Sequence, residues 1–309
     1  MKKVRAVLAS GIIALALSAP AGAQPTFFAN PKCYDNFGSI PCDVRMKNFG
    51  GPVMSNPTTV YNIWYGDGSA ASTISTMGGF FGNLTGSDYM NLGSVYGATT
   101  TITFGGTIFK SNYLGNNLTD AQLGQIVNDA ISAALVPSSN DALYYIFTAP
   151  GIREEEDGVD CAFHSDVNGL KFAWVGTRFF NTNKGCGSGT FDENVTSASS
   201  HEMFEALTDP LVGEATSNGP PLGWYDSGPT NQGENGDMCN QASFRTDLGG
   251  KQYYVQSIFV NDATYAAGGY CASGLAAPAP VTTPEPASLM LLATGLVGVI
   301  GVTARKRKS

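Results

Sequence analysis

Five stretches of the chain concentrate β-branched and aromatic residues and are bounded by Gly, Pro, Asn or Asp: Thr59–Gly66, Thr99–Gly106, Ala142–Ala149, Leu170–Thr177 and Gln252–Val260. Short runs of this composition read as strands. Two other stretches repeat their apolar positions at helical spacing. Between Thr119 and Pro137, a single stripe is formed by Leu123, Ile126, Val127, Ala130, Ile131 and Ala134. Thr119 and Gln122 stand at capping-box spacing, and Pro137 is the stop. The second helix is predicted from about Asp192 to Leu207 and ends at Asp209–Pro210, because a residue before proline avoids the α region. Helices separated by strands predict an α/β or α+β fold, a single domain with a mixed sheet flanked by helices.

Two apolar runs fall outside this pattern and change the picture of where the domain lies. Lys2, Lys3 and Arg5 precede an apolar run that ends in Ala21-Gly22-Ala23, the order of a cleaved secretory signal, so residues 1–23 are expected to be removed. At the other end Pro284-Glu285-Pro286 leads into an uncharged run from Ala287 to Ala304 and the bases Arg305 to Lys308. At about 1.5 Å per helical residue that run can cross a hydrocarbon core, and the bases would stay on the cytoplasmic side. Motif, span and basic tail in this order resemble the PEP-CTERM sorting signal of Gram-negative bacteria. The resemblance implies an exosortase-type sorting enzyme as partner, transient anchoring in the inner membrane, cleavage near the motif and release to the cell surface or matrix. The expected layout is therefore signal 1–23, an N-terminal extension with a disulfide loop 24–49, the domain 50–274, a Pro- and Ala-rich linker 275–283 and the sorting signal 284–309.

Charge and cysteine usage then narrow the partners. Of 17 bases and 25 acids, three bases lie in the leader and four bases with Glu285 in the tail, leaving 10 and 24, a net of −14. Such a surface repels phosphate backbones, so nucleic acid is excluded as a partner. The six cysteines all lie in the exported part and form no C-x-x-C pair, which favours disulfides over a thiolate metal site. Sequence neighbours suggest Cys33–Cys42, Cys161–Cys186 and Cys239–Cys271.

The candidate chemistry sits in SSHEMFEALTDP, residues 199–210. His201 and Glu205 are one helical turn apart and share a face. Glu202 lies about 100° around the axis, where it can act on a water held by the other two. This is the spacing of the H-E-x-x-H zinc helix with a carboxylate as second ligand, and catalytic zinc accepts mixed histidine and carboxylate sets. Because the chain has only two histidines, a three-histidine site within one chain is excluded. Glu234 or Asp237 on a Gly-rich loop, or Asp226 ahead of them, or His164, could complete the set. The competing reading is an ordinary helix whose Glu205 and Asp209 form a solvated acidic face. Other chemistries are weaker. No G-x-S-x-G elbow or phosphate-binding Gly loop occurs, and Cys161 beside His164 is expected in a disulfide. Arg153–Asp157 with Asp160 could hold calcium through oxygen ligands, or be a solvated loop. Trp224 and Tyr225 could stack on sugars or pack the loop against the helix.

Several blocks, in order, resemble the EXORDIUM, or phosphate-induced, protein family. GGPVMSNPTTVYNIWYGDG (residues 50–68) resembles its opening signature. VDCAFHS, FAWVG, HEMFEALTDP, GWYD and GENGDMCN resemble later blocks of its microbial members. The resemblance covers about residues 50–271. It implies an extracellular protein, brings no defined catalytic activity, and marks His201, Glu202, Glu205, Asp209, Glu234 and Asp237 as one constellation. Two functions follow. One is a zinc-dependent peptidase or hydrolase in which His201 and Glu205, with Glu234, Asp237 or His164, hold the metal and Glu202 is the base. The other is a non-catalytic protein that binds matrix protein or polysaccharide and in which the same residues are structural.

Overall fold

The segment Ala142–Thr148 is buried along its whole length, and the fold is built on its two faces. The computed structural model describes residues 46–154, 161–177, 180, 186–215, 219–227, 233–240, 242–262 and 268–276. In chain order the elements are β1 (Met46–Asn48), β2 (Thr58–Tyr65), α1 (Ala71–Gly82), a 3-10 segment (Met90–Tyr96), β3 (Ile102–Lys110), β4 (Asn117–Leu118), α2 (Asp120–Ser132), β5 (Ala142–Thr148), β6 (Arg153–Glu154), β7 (Ala162–Val167), β8 (Leu170–Gly176), α3 (Phe191–Thr208), β9 (Trp224–Asp226), β10 (Ser243–Leu248), β11 (Lys251–Gln256), β12 (Ile258–Asn261) and β13 (Gly269–Ala272).

A five-stranded mixed sheet runs β3-β2-β5-β8-β7. Its first four strands are parallel, and β7 closes the edge antiparallel to β8. The β7–β8 hairpin turns on Asn168 and Gly169, both at positive φ (52° and 76°), the backbone that a two-residue turn needs to match strand twist. Because side chains alternate, β5 sends Leu143, Tyr145 and Phe147 to one face and Tyr144 and Ile146 to the other. Leu123, Ile126, Val127 and Ala130 of α2 cover the second face. Met77, Phe80 and Phe81 of α1 and Val195, Met203, Phe204 and Leu207 of α3 cover the first. Helices on both faces explain why these strands read as continuous apolar runs.

The α/β expectation holds, and so does the capping box: Thr119 Oγ1 accepts from the Gln122 N–H, and Gln122 Oε1 accepts from the Thr119 N–H. The helix it opens stops at Ser132, so Ala134 is not in the stripe; it stands outside with φ 53°. Helix α1 was not predicted. Its N-cap Ala70 makes no side-chain bond and its sequence holds a Gly-Gly pair, so packing of Thr73, Met77, Phe80 and Phe81 stabilises a helix that local signals do not announce. The strand expected at Thr99–Gly106 starts later and runs to Lys110. The Thr99 hydroxyl holds the Thr101 N–H in a local turn at 3.1 Å. Gly105 and Gly106, which read as a stop, form a bulge where the register to β2 shifts. The run Gln252–Val260 divides at Ser257 into β11 and β12, which pair with different strands.

The hairpin β10–β11 lies over α3, tied by Thr196 Oγ1 donating to the Tyr254 carbonyl at 2.7 Å. Residues 46–48, expected within the extension, pair with β9. Two of the expected disulfides are formed, Cys161–Cys186 and Cys239–Cys271, with Cα separations of 5.5 and 5.6 Å. The expected Cys33–Cys42 bridge, the leader and the unit from Ala277 to Ser309 lie outside the described residues. No helix among the described residues is long and apolar enough to cross a membrane. Cys239–Cys271 closes 32 residues and pins the loop just after Asp237 to β13. Replacing both cysteines with alanine should cost about 2–4 kcal/mol in urea unfolding; an unchanged midpoint would show that the bridge does not brace this loop.

Candidate metal centre

Helix α3 opens with a capping box between Thr190 and Glu193. Few of its faces are apolar, yet nearly all of it is buried, including Asn194, Thr196, Ser197, Ser199, Ser200, Glu202, Glu205 and Thr208. It is covered by β7 and β8 on one side and β11 on the other. Small polar residues allow that close approach; the hydroxyls of Thr196, Ser197, Ser200 and Thr208 are hydrogen-bonded, while Ser199 Oγ is buried without a partner among the described residues. Tyr145 Oη donates to the Ser199 carbonyl at 2.6 Å, and Ser200 Oγ accepts from the Gln256 N–H at 2.9 Å.

His164 arrives from β7, where alternation turns Phe163 and Val167 to the α2 face and leaves His164 opposite α3. Its Nδ1 is 3.6 Å from Glu202 Oε2 and 3.6 Å from Glu205 Oε2. His201, on α3, has its Nε2 2.9 Å from Glu205 Oε1 and 3.5 Å from Asp237 Oδ1. The two oxygens of Glu205 therefore face different histidines. Among the described residues, two sets of potential ligand atoms converge within 4.8 Å, His201–Glu205–Asp237 and His164–Glu202–Glu205.

The second ring nitrogens decide which nitrogen can bind a cation. His164 Nε2 is 3.1 Å from the Asp209 carbonyl, an acceptor only, so Nε2 carries hydrogen and Nδ1 presents its lone pair to the carboxylates. Gln256 Nε2 donates to the Gly236 carbonyl at 2.8 Å. That bond turns Gln256 Oε1 toward His201 Nδ1, at 3.1 Å. His201 Nδ1 is thus the donor and Nε2 the free lone pair. Both rings are held as metal-binding histidines are, by an acceptor on the far nitrogen. With no cation, a proton on the near nitrogen fills the same place.

The loop that follows is shaped to this pair. Asp237 N–H donates to Glu205 Oε1 at 3.0 Å, and Glu234 N–H to Asp237 Oδ2 at 3.0 Å. A Cβ at Gly236 would lie 2.6 Å from Glu205 Oε1 and 3.0 Å from His201 Cγ, so only glycine lets this loop close on the helix. Glu234 turns to the other histidine, its Oε1 3.5 Å from His164 Nε2. That oxygen is buried and has no hydrogen-bond partner.

Electrostatics follow from burial. Desolvation alone would lower both histidines, but for His164 the charges of Glu234, Glu202 and Glu205, and for His201 those of Glu205, Glu202 and Asp237, hold them well above the usual range. Burial pushes Glu202 up to about 7 against the pull of His201. Burial, aided by Glu205, Asp209 and Asp237, raises Glu234 well above the glutamate range. Glu205 alone goes down, to about 2, because His201 and His164 outweigh its burial.

The structure therefore brings His164, His201, Glu202, Glu205, Glu234 and Asp237 into one cluster. The loop acid beside His201 is Asp237, and Glu202 is turned to His164. Asp209 caps the end of α3, its Oδ1 accepting from the Gly223 N–H at 2.8 Å. Asp226 is paired on β9 and belongs to neither ligand set. Trp224 is turned inward, its Nε1 donating to the Tyr96 carbonyl at 2.9 Å. Of the calcium candidates, Glu154 is buried on β6, while residues 155–160 lie outside the described residues. Gln256 was missed in sequence; a glutamine at the end of an aromatic strand gives no local sign that it will orient a histidine.

Among known protein families, the chain matches the PEP-CTERM protein-sorting motif over residues 282–308. That motif supports an exported, cell-surface protein recognised by an exosortase. No curated protein and no solved structure matches the chain, and the EXORDIUM resemblance rests on its blocks alone.

The protonation pattern sets a pH dependence for the metal-free protein. His164 and His201 contribute stability below 6.5 that is lost as pH rises through their raised folded values. Glu202, raised from 4.5 to about 7, also costs stability as pH rises across that interval. Glu205 acts oppositely, losing its contribution only as pH falls from 4.5 toward about 2. Chelator-treated protein should therefore melt at progressively lower temperature from about pH 5 to about pH 8, and zinc should reverse the trend because a cation replaces the protons. A melting temperature that climbs across this range without metal would contradict the assignment.

Proposed function

We propose that the exported domain holds a divalent cation of the zinc class between His201, Glu205 and Asp237, and that the cation serves hydrolysis of a peptide or related bond outside the cell. The observation that carries this is the His201 ring. Gln256 fixes its Nδ1 as donor and leaves Nε2 aimed at two carboxylates. The set also has an open side, since the Asp237 side chain is 39 % exposed, and catalytic metal sites keep one position free. When bound, the cation would supply Lewis-acid polarisation of the scissile carbonyl. Glu205 and Asp237 hold the cation's charge, and Gly236 keeps the loop close. In the hydrolytic form Glu202 takes the proton from the attacking water, a role suited to a carboxyl near neutrality. The EXORDIUM-like blocks support an extracellular setting for this site, as does the acidic exported surface. The apolar run at Ala287–Ala304 fits a transient inner-membrane anchor before exosortase cleavage.

One observation favours a second, non-catalytic reading, a protein that binds matrix protein or polysaccharide and uses the same residues structurally. Glu202 is only 4 % exposed and is directed at His164, away from the open side. Zinc analysis of the purified protein, followed by turnover of a peptide library by wild type and Glu202→Gln, separates the readings. The hydrolase predicts bound zinc and a loss of about 10²–10⁴-fold in kcat for the variant. Zinc with no turnover of any peptide leaves the structural reading, and a chain that binds no zinc, cobalt or manganese rejects both metal readings.

A further inference from the structure

We propose that the site binds a pair of divalent cations, with Glu205 as the bridging carboxylate: one cation on His201 and Asp237, the second buried on His164 and Glu202. The inference rests on the metal reading of the His201 site above and moves Glu202 from base to ligand. Glu205 presents Oε1 to His201 at 2.9 Å and Oε2 to His164 at 3.6 Å. A carboxylate shared in this way sets two cations side by side, and paired metals in hydrolytic sites stand about 3.5–4 Å apart.

The His164 ring points to a second ligand position independently of the first. Its Nε2 is committed to the Asp209 carbonyl at 3.1 Å, so Nδ1 faces Glu202 and Glu205 with a lone pair. Glu234 Oε1, buried and without a hydrogen-bond partner, lies 3.5 Å from the same Nε2. The Asp209 carbonyl is the outer acceptor of a metal-bound imidazole, and the Glu234 charge beside the ring favours a cation on it. Charge points the same way. Ionised Glu202, Glu205, Glu234 and Asp237 balance two divalent cations, whereas one cation leaves two buried negative charges that protons must neutralise. Exposure divides the roles. His164 and Glu202 are 3 % and 5 % exposed at their side chains, against 13 % and 39 % for His201 and Asp237. The buried cation is closed off and structural, and the other faces the substrate.

The test uses the full chain in detergent, stripped with chelator and reloaded with zinc or manganese. Metal analysis should give about two zinc ions per chain, falling to about one in His164→Ala and in Asp237→Asn, and to none in Glu205→Ala. Manganese-loaded wild type should show the electron-spin coupling of a bridged pair, a readout that needs no variant to fold. Glu202→Gln should lower zinc content, whereas a residue that acts only as base would change turnover and leave metal unchanged. About one zinc per chain with an isolated manganese signal overturns the pair and leaves the single-metal reading intact. No bound metal overturns both.

Discussion

Burying the Glu205 carboxylate between two imidazoles is the constraint on which the site depends. A carboxylate at 4 % exposure is costly unless its charge is met, and here each oxygen meets a different histidine. The same burial then obliges Glu202 and Glu234 to take up protons or a cation, since the chain offers no third histidine and no lysine or arginine enters the cluster among the described residues. Proton uptake and metal uptake are alternative answers to one excess of negative charge.

The fold pays for this arrangement by covering α3 on two sides. A helix covered on one side carries a wet polar face; the polar residues of α3 are instead largely buried, because β7 and β8 pack against one side and β11 against the other. Two of these covering strands also deliver a site group: β7 brings His164 and β11 brings Gln256. The loop that supplies Glu234 and Asp237 is held at its far end by Cys239–Cys271 and closes on the helix through Gly236. Rigid support from strands, a disulfide and a glycine contact is what fixes site groups that lie far apart in the chain.

The surroundings agree with an exported role. The two described disulfides suit an oxidising compartment, and the sorting motif assigns the surface as destination.

Sequence alone determined the class of the fold, four of the five strands of the main sheet, the approximate extent of α3 and two of the cysteine pairings, and it named His164, His201, Glu202, Glu205, Glu234 and Asp237 as candidates. Those features are local: periodicity, a proline stop, a capping box, neighbouring cysteines and a count of histidines. Helix α1 stayed hidden because its helicity comes from burying Phe80 and Phe81 and not from its own propensity. Strand β3 was cut short because a bulge and a turn both look like Gly-Gly in one dimension. In the site, spacing put His201 and Glu205 on one face but could not choose among Asp237, Glu234 and His164, nor foresee that Glu202 turns to His164. That choice belongs to tertiary structure, since it depends on which edge of a sheet faces α3 and on a glutamine near the chain's far end. Helical spacing reaches one turn, whereas the tautomer of each histidine is set by an acceptor 45 or 55 residues away.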